Sequence, residues 1–196
     1  MRNSGLKITM YAVTFVLATL WGGAQAAGNL GSVSVFYGQK YLNQNDWEPN
    51  ESQSETGLGV MFQQPDWPVA VVGNYFRSSD SAIDSINFDP PVKTNAETTE
   101  ISAGARKDLT EGAIKVFVDG GLVSISAKIK GVDTVTGESL TVSDSAAGLW
   151  LGGGMDVMLG SAVSFGGIVR MSKADKNGSA LGGTHFGIYA AYHFQQ

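Results

Sequence analysis

Eight segments in which apolar residues alternate with polar or small ones constrain the fold more than any other feature of the chain. In TTEISAGAR, for example, Ile101 and Ala103 alternate with Glu100, Ser102 and Gly104. A period of two is typical of a strand whose two faces meet different surroundings. The segments span 32–41, 55–62, 69–77, 98–106, 113–122, 147–157, 161–171 and 184–194. We therefore predict an all-β domain.

The connections between these segments alternate between long and short. Long polar stretches follow the first, third, fifth and seventh segments, and the one after the fifth runs roughly from Lys128 to Asp144. Short connections such as QQPDWP, KDLTEG and MLGS follow the second, fourth and sixth. Short turns at one end and longer loops at the other are typical of transmembrane β-barrels, which have short periplasmic turns and longer extracellular loops.

The N-terminus predicts export. Arg2 and Lys7 precede an apolar stretch from Ile8 to about Trp21, and Ala24-Gln25-Ala26 supplies the small residues of a cleavage site. This three-part pattern indicates a secretory signal peptide, and the apolar stretch is short for a membrane-spanning helix. We predict a signal peptide at 1–26 and a single barrel domain at 27–196.

Composition narrows the function classes. The chain has no cysteine, so packing and backbone pairing must hold an exported domain together. Its formal net charge of −5, without a basic cluster, gives no indication of a nucleic-acid partner. The 26 glycines against 5 prolines favour closely packed strands around a narrow interior.

Charged residues fall on the strand faces opposite the aliphatic ones, which predicts a polar interior. An eight-stranded barrel is just wide enough for side chains to fill it, and opposite charges inside can pair. The predicted lumen network consists of Glu100, Arg106, Lys115, Asp119, Asp156, Arg170, His185 and His193.

Aromatic residues gather toward the two ends of the segments. Two rings of aromatic side chains are expected where a barrel meets the two membrane–water interfaces. The predicted girdle residues are Tyr37, Tyr41, Phe62, Trp67, Tyr75 and Phe186.

The last segment, THFGIYAAYHF, carries the most specific signal. Its polar residue, its glycine two positions on and its spaced hydrophobic residues resemble the C-terminal assembly signal of outer-membrane barrels. The matching positions are His185, Gly187, Ala190, Tyr192 and Phe194. The match departs from the pattern at two places, because Gln195 and Gln196 follow the final aromatic residue and Ala190 is small.

From about Gly31 to Phe194 the chain resembles the small eight-stranded outer-membrane β-barrels, the OmpA/OmpX-like family. The resemblance implies an antiparallel up-and-down transmembrane barrel with four longer extracellular loops, located in a bacterial outer membrane. It implies a structural or interaction role, no cofactor and no shared catalytic residues. The expected partners are outer-membrane lipids and lipopolysaccharide, the barrel-assembly machinery during insertion, and any surface or host ligand met by the loops. We expect a monomer and no wide general pore.

Two histidines raise the question of whether the chain binds a metal ion or catalyses a reaction. His185 and His193 share a strand face but are roughly 26 Å apart at about 3.3 Å per residue, too far to share a metal ion. We expect both to form lumen hydrogen bonds. The alternative is a lipid A-modifying enzyme that uses His185 with Ser172 or Asp175. Barrel-embedded lipid A deacylases resemble this architecture, but the sequences HFG and HFQ lack the serine that those enzymes place near their histidine.

Acidic and basic residues also lie in the connections. The acidic groups are Asp46, Glu48 and Glu51, followed by Asp80, Asp84 and Asp89, and the basic pair is Lys128 and Lys130. Solvated loop charge is the expected role of the acidic groups, with weak calcium binding, or bridging to lipopolysaccharide phosphates through divalent ions, as the alternative. The lysines could meet lipid phosphates. A last alternative for the whole chain is a soluble periplasmic, lipocalin-like carrier of a hydrophobic ligand, whose apolar faces would point inward.

Overall fold

The structure, a computed structural model, describes residues 30–42, 50–84, 92–176 and 179–195. The predicted signal peptide lies outside these residues. The described residues form eight strands and no helix, so no described helix is long and apolar enough to cross a membrane. The strands are β1 Leu30–Leu42, β2 Ser52–Gln63, β3 Ala70–Asp84, β4 Val92–Asp108, β5 Ile114–Asp133, β6 Ser139–Leu159, β7 Val163–Lys176 and β8 Ser179–Gln195.

The strands close into an antiparallel barrel in chain order, as the alternation predicted. Each strand pairs with its neighbours in sequence, and β1 closes the barrel by pairing with β8, where Val33 lies opposite Tyr192. All eight predicted segments are strands. Because the barrel is closed, every strand in its main part is hydrogen-bonded to a neighbour on both sides, and no strand edge is open there.

The strands alternate between an inner and an outer face. On β5, Phe117, Val123 and Ile125 are buried inside, whereas Val118 and Leu122 are exposed outside. Aliphatic and aromatic residues cover the outer face of the barrel toward the end that carries the short connections, which we call the turn end. The opposite end is called the loop end. The aliphatic side chains predicted to face outward, such as Val35 and Leu151, do so.

The bounds predicted for three loop-end connections are wrong. In the polar stretch after the third segment, β3 and β4 stay paired up to Asp84 opposite Val92. We expected a loop from Lys128 to about Asp144, but β5 and β6 stay paired up to Val132 opposite Ser139 and leave only 134–138 as a turn. Likewise, β7 and β8 extend to Lys176 and Ser179. Polar residues such as Lys128 and Ser143 occupy the outer face of these extensions, and backbone pairing continues beneath them because it does not depend on apolar side chains.

The β5–β6 turn is closed by Asp133. Its carboxylate accepts hydrogen bonds from the Val135 and Thr136 N–H groups at 2.7 and 3.0 Å. These N–H groups, Thr136 first, hold the pKa of Asp133 below its usual range because they stabilise the charged carboxylate. Gly137 completes the turn at φ 73°, a left-handed conformation that glycine adopts at little cost.

The barrel interior changes character along its length. Toward the loop end it holds a buried apolar cluster that includes Ile125, Ala127, Trp150, Ala174 and Leu181, beside buried polar groups such as Gln53 and Thr98. Toward the middle and the turn end it is polar and charged. The barrel therefore carries its charged residues in the same zone in which its outer surface is most apolar.

Candidate functional site: the polar lumen

Glu100 on β4 lies at the centre of the lumen and joins four other side chains. Lys40 Nζ is 2.7 Å from Glu100 Oε1, and Arg170 Nη2 is 3.4 Å from Oε2. The Ser172 hydroxyl donates to Oε1 at 2.8 Å, and His185 Nε2 is 3.4 Å from the same oxygen. All of these side chains are buried. One carboxylate thus links strands β1, β7 and β8 to β4 across the barrel.

His185 connects this centre to a second carboxylate. Its Nδ1 is 2.8 Å from Glu55 Oε2 on β2, and its Nε2 is 3.1 Å from Ser172 Oγ. The order of contacts, serine to histidine to carboxylate, resembles a nucleophile–base–acid series. The Ser172 hydroxyl, however, donates to Glu100, and all three side chains are at most 2% exposed. The geometry therefore fits a closed hydrogen-bond network.

Arg170 is held by two aromatic rings as well as by charge. Its guanidinium carbon lies 4.7 Å from the centre of the Phe76 ring and 4.3 Å from that of Trp150. Nη1 also donates to Ser102 Oγ at 3.0 Å. Contact with two ring faces stabilises a cation and fills the lumen at the level of Trp150.

A layer of hydroxyl and amide groups covers the central charges on the side of the loop end. Lys40 Nζ donates to Thr98 Oγ1 at 2.9 Å, and Gln53 Oε1 accepts from Ser78 and Thr98. The Ser78 and Thr98 hydroxyls also contact each other. Thr98 thus provides Lys40 with a second acceptor beside Glu100, which suits a buried ammonium, and the other groups of the layer hold Thr98 in place.

A second charged cluster lies nearer the turn end. Arg106 contacts Asp156 at 2.9 Å and Asp108 at 3.0 Å, and Lys115 lies 3.5 Å from Asp108. The Arg106 guanidinium also stacks 3.5 Å from the centre of the Phe117 ring. These contacts balance two cations against two carboxylates.

A small cavity adjoins this second cluster. Its volume is about 60 Å³, and Asp119, Asp156, Tyr189 and His193 are among the residues that line it. One carboxylate oxygen of each aspartate and the Tyr189 hydroxyl have no hydrogen-bond partner among the described residues. At roughly 10–15 Å³ per water, a cavity of this size holds only a few water molecules, which suits these polar groups.

The two histidines lie in different clusters. His193 Nε2 is 2.8 Å from Ser164 Oγ near the turn end, whereas His185 belongs to the central cluster. Within the described residues, no group of three or more His, Cys, Asp or Glu side chains is arranged to hold a metal ion.

All eight residues that we proposed for the lumen network lie on the inner face. The structure brings Glu100, Arg170 and His185 into the central cluster and places the other five nearer the turn end. Sequence reasoning missed Lys40 and Glu55. Both lie on the glycine-bearing face of their strand, Lys40 with Gly38 and Glu55 with Gly57, so the same alternation could have indicated them.

The residues of the predicted girdles and assembly signal lie as follows. Tyr37, Tyr41, Tyr75 and Phe186 are exposed on the outer face, and the Tyr41 and Phe186 rings pack 6.0 Å apart. The other two girdle residues, Phe62 and Trp67, pack together near the turn end, also at 6.0 Å. In the last strand, His185 and Gly187 face the lumen, whereas Ala190, Tyr192 and Phe194 face outward.

Only part of each acidic loop cluster belongs to the described residues. Asp46, Glu48 and Asp89 lie outside them, as does the side chain of Asp84. Asp80 Oδ2 accepts a hydrogen bond from Asn50 at 3.0 Å, and Asn50 Oδ1 accepts one from Thr94 at 2.6 Å. Asn50 therefore fastens the end of the β1–β2 connection to Asp80 on β3 and to Thr94 on β4.

No protein-family model and no curated protein matches the chain. Solved structures do match it. The attachment invasion locus protein Ail of Yersinia pestis is 16% identical with a TM-score of 0.60, and the match covers 86% of this chain and 100% of Ail. Ail has also been solved in complex with the heparin analogue sucrose octasulfate.

Two further outer-membrane or surface proteins show the same likeness. OprG of Pseudomonas aeruginosa is 11% identical with a TM-score of 0.60, over 88% of this chain and 99% of OprG. Neisserial surface protein A is 13% identical with a TM-score of 0.57, over 87% and 98%. At such identities the likeness establishes the fold: the chain is a closed, eight-stranded antiparallel β-barrel of the kind seen in small bacterial outer-membrane proteins.

Proposed function

We propose that the chain is an integral protein of a bacterial outer membrane with a structural or interaction role, exported by a signal peptide that is cleaved. The observation that carries this proposal is the distribution of polarity: an apolar outer face surrounds a charged, filled lumen. A soluble protein of this size gains nothing from exposing Leu122, Leu151 and Ile188, which are all more than two-thirds exposed. Lipid tails are the surroundings that suit such a surface.

On six of the strands the outer face changes from apolar to polar toward the loop end. On β5 Leu122 is followed by Ser124, on β3 Tyr75 by Arg77. The same change separates Leu58 from Thr56, Ile101 from Thr99, Met171 from Lys173 and Phe186 from Thr184. The apolar outer residues therefore form a belt around the barrel that ends on one strand after another, as a membrane boundary requires. The aromatic girdle residues Tyr37, Tyr41, Tyr75 and Phe186 lie near this boundary.

The loop end faces the outside of the cell in this proposal. Both chain ends of the barrel, Leu30 and Gln195, pair with each other at the turn end, which would face the periplasm. The strand extensions β3–β6 then stand above the membrane as the contact surface. Lys128, Lys130 and Lys173 project outward above the belt, where phosphates of outer-membrane lipids and lipopolysaccharide would lie. We further propose a monomer that the barrel-assembly machinery inserts.

The filled lumen favours this role over the three others considered. A wide pore needs many more strands, and here Arg170, Phe76 and Trp150 occupy the middle of the barrel. A carrier of hydrophobic ligands needs an apolar lumen and a polar exterior, the reverse of what the body of the barrel has. A lipid A hydrolase needs a substrate at its nucleophile, and Ser172 is 2% exposed in the lumen.

The proposal is tested by accessibility in whole cells. The chain has no cysteine, so a maleimide can react only with a single cysteine that is introduced by substitution. A membrane-impermeant maleimide should label Lys130→Cys on intact cells but label Leu109→Cys, at the turn end, only after the cells are opened. The protein should fractionate with the outer membrane and shift in gel mobility on boiling. Labelling in the reverse order would overturn the orientation, and release with the soluble periplasm would overturn the proposal.

A further inference from the structure

Asp119 on β5 is a buried carboxylate whose expected partner is engaged elsewhere. The strand register places it directly opposite Arg106 on β4, and it is 9% exposed. The Arg106 guanidinium instead contacts Asp156 at 2.9 Å and Asp108 at 3.0 Å. It also stacks on the Phe117 ring. Asp119 Oδ1 is left without a hydrogen-bond partner among the described residues, and a buried charge is costly unless another group compensates it.

A glycine on the adjacent strand provides the space for this carboxylate. Gly152 lies opposite Asp119 on β6, and a Cβ atom there would lie 2.5 Å from Asp119 Oδ1. The same Cβ atom would lie 3.5 Å from the Cβ of Arg170 on β7. The guanidinium of Arg170 is itself engaged by Glu100 and Ser102. Asp119 therefore lies between two arginines that both serve other partners.

The charge of Asp119 is also left over in number. The cations and carboxylates of the two charged clusters match four to four when both histidines are neutral: Lys40, Arg106, Lys115 and Arg170 against Glu55, Glu100, Asp108 and Asp156. Asp119 is a fifth carboxylate. A proton on His185 would add a positive charge, but that charge would lie between Glu55 and Glu100 in the central cluster. The region around Asp119 thus lacks one positive charge.

The oxygen atoms without partners belong to residues that line one cavity. Asp119, Asp156 and Tyr189 line the cavity of about 60 Å³, and each has one oxygen atom without a hydrogen-bond partner among the described residues. Both carboxylates are at least nine-tenths buried. Asn74 lines the same cavity, and its amide nitrogen donates to Ser102, which leaves its oxygen as an acceptor. Carboxylate, hydroxyl and amide oxygens are the ligands that hard cations prefer.

The size and charge of the cavity favour a monovalent cation. At roughly 10–15 Å³ per water, the cavity accommodates one small ion together with a few water molecules. One unmatched carboxylate is neutralised by one positive charge, whereas a divalent ion would leave an excess of positive charge in a buried place. Within the described residues no three acidic or histidine side chains converge as ligands of a metal ion, and calcium commonly needs several carboxylates.

We propose that this cavity binds a monovalent alkali cation such as sodium through Asp119 Oδ1, Asp156 Oδ1 and the Tyr189 hydroxyl oxygen. The ion supplies the positive charge that Arg106 directs to its other partners. Lys115, about one-third exposed, lies between the cavity and the turn end, so the ion exchanges with solvent from that side. The inference goes beyond the proposed function and holds for either orientation of the barrel in a membrane.

The test measures the stability of the purified full-length barrel in a non-ionic detergent by tryptophan fluorescence in urea. Sodium chloride replaces choline chloride stepwise at constant ionic strength, so that charge screening stays the same. The ²³Na line width in the same titration reports binding directly. Asp119→Asn removes the charge and keeps the shape of the side chain. Glu97→Gln is the matched control, because it removes an exposed carboxylate on the outer face.

We expect sodium at ten times its Kd to raise the folding equilibrium constant of wild type and of Glu97→Gln about elevenfold, by the factor 1 + [Na⁺]/Kd. In Asp119→Asn this dependence and the ²³Na broadening should disappear, and in choline chloride the variant should be at least as stable as wild type. If Asp119→Asn does not fold, Tyr189→Phe takes its place and should weaken sodium binding.

Three results would overturn the inference. Wild type without sodium dependence or line broadening would show that a proton or the two arginines compensate Asp119. An equal sodium effect in wild type and Asp119→Asn would assign the effect to the protein surface. Stronger stabilisation by magnesium than by sodium at equal concentration would contradict a monovalent site. None of these results bears on the maleimide labelling and fractionation, which test the proposed function separately.

Discussion

Lys40 and Glu100 form an ion pair of 2.7 Å across the lumen, with side chains 0% and 1% exposed. They are sixty positions apart in the chain and lie on strands that are not neighbours in the sheet. Their contact therefore depends on the closure of the barrel, and it connects the β1–β8 seam with the opposite wall.

Replacement of Glu100 by glutamine should destabilise the barrel strongly. The change leaves Lys40 and Arg170 buried without their carboxylate, and removal of one partner of a buried pair typically costs about 3–5 kcal/mol. The urea midpoint of the boiling-dependent gel shift measures the loss. The control is Glu97→Gln, which breaks the exposed pair with Arg77 and should cost about 1 kcal/mol or less. Equal effects of the two changes would contradict a stabilising role for the central cluster.

Replacement of Ser172 by alanine should leave the lipid A of the host cell unchanged. The Ser172 hydroxyl donates to Glu100 inside a closed network, so its loss should lower stability by about 1–3 kcal/mol and no more. Mass spectrometry of lipid A from cells that express wild type, Ser172→Ala or no barrel measures the chemistry. A lipid A species present only with wild type would establish the enzyme alternative that we set aside.

Replacement of Gly121 by alanine should destabilise the barrel more than replacement of Gly73. A methyl group on Gly121 would collide with the backbone of Ala103 and Gly104 on the adjacent strand, and overpacking of this kind costs about 1–3 kcal/mol. At Gly73 the nearest atom to a new methyl group is a Val60 side-chain carbon at 3.3 Å, and the change should be nearly neutral. The urea midpoints of the two variants measure this difference in stability. Equal midpoints would show that the barrel wall at Gly121 can move to accommodate the methyl group.

The β5–β6 turn should loosen in acid. The pKa of Asp133 is depressed in the fold, so the contribution of its carboxylate is present above the ordinary aspartate pKa and is lost as pH falls through the lower folded value. Hydrogen exchange of the Val135 and Thr136 N–H groups, corrected for intrinsic rates, should speed up relative to neighbouring strand amides in that window. In Asp133→Asn the pH dependence should disappear. A pH dependence that persists in this variant would assign the effect to another group.

The sequence determined the strands of this protein, because strand alternation is a local property. Each segment carries its own inner and outer face, so all eight strands and the side of Glu100, Arg170 and His185 could be read from residue parity. The same parity also indicates Lys40 and Glu55, each of which shares a strand face with a glycine.

Which of these inner residues contact one another depends on the three-dimensional fold. Glu100 contacts Lys40 and His185 because of the strand register and the closure of the barrel. Both depend on the pairing of all eight strands together, which no local sequence pattern specifies. The extent of β5 and β6 was also decided by the fold. Near the loop end, the outward-facing residues of these two strands are serine, threonine and lysine, a composition typical of a loop. The backbone ladder nevertheless continues, because each strand supplies the hydrogen-bond partners of the other.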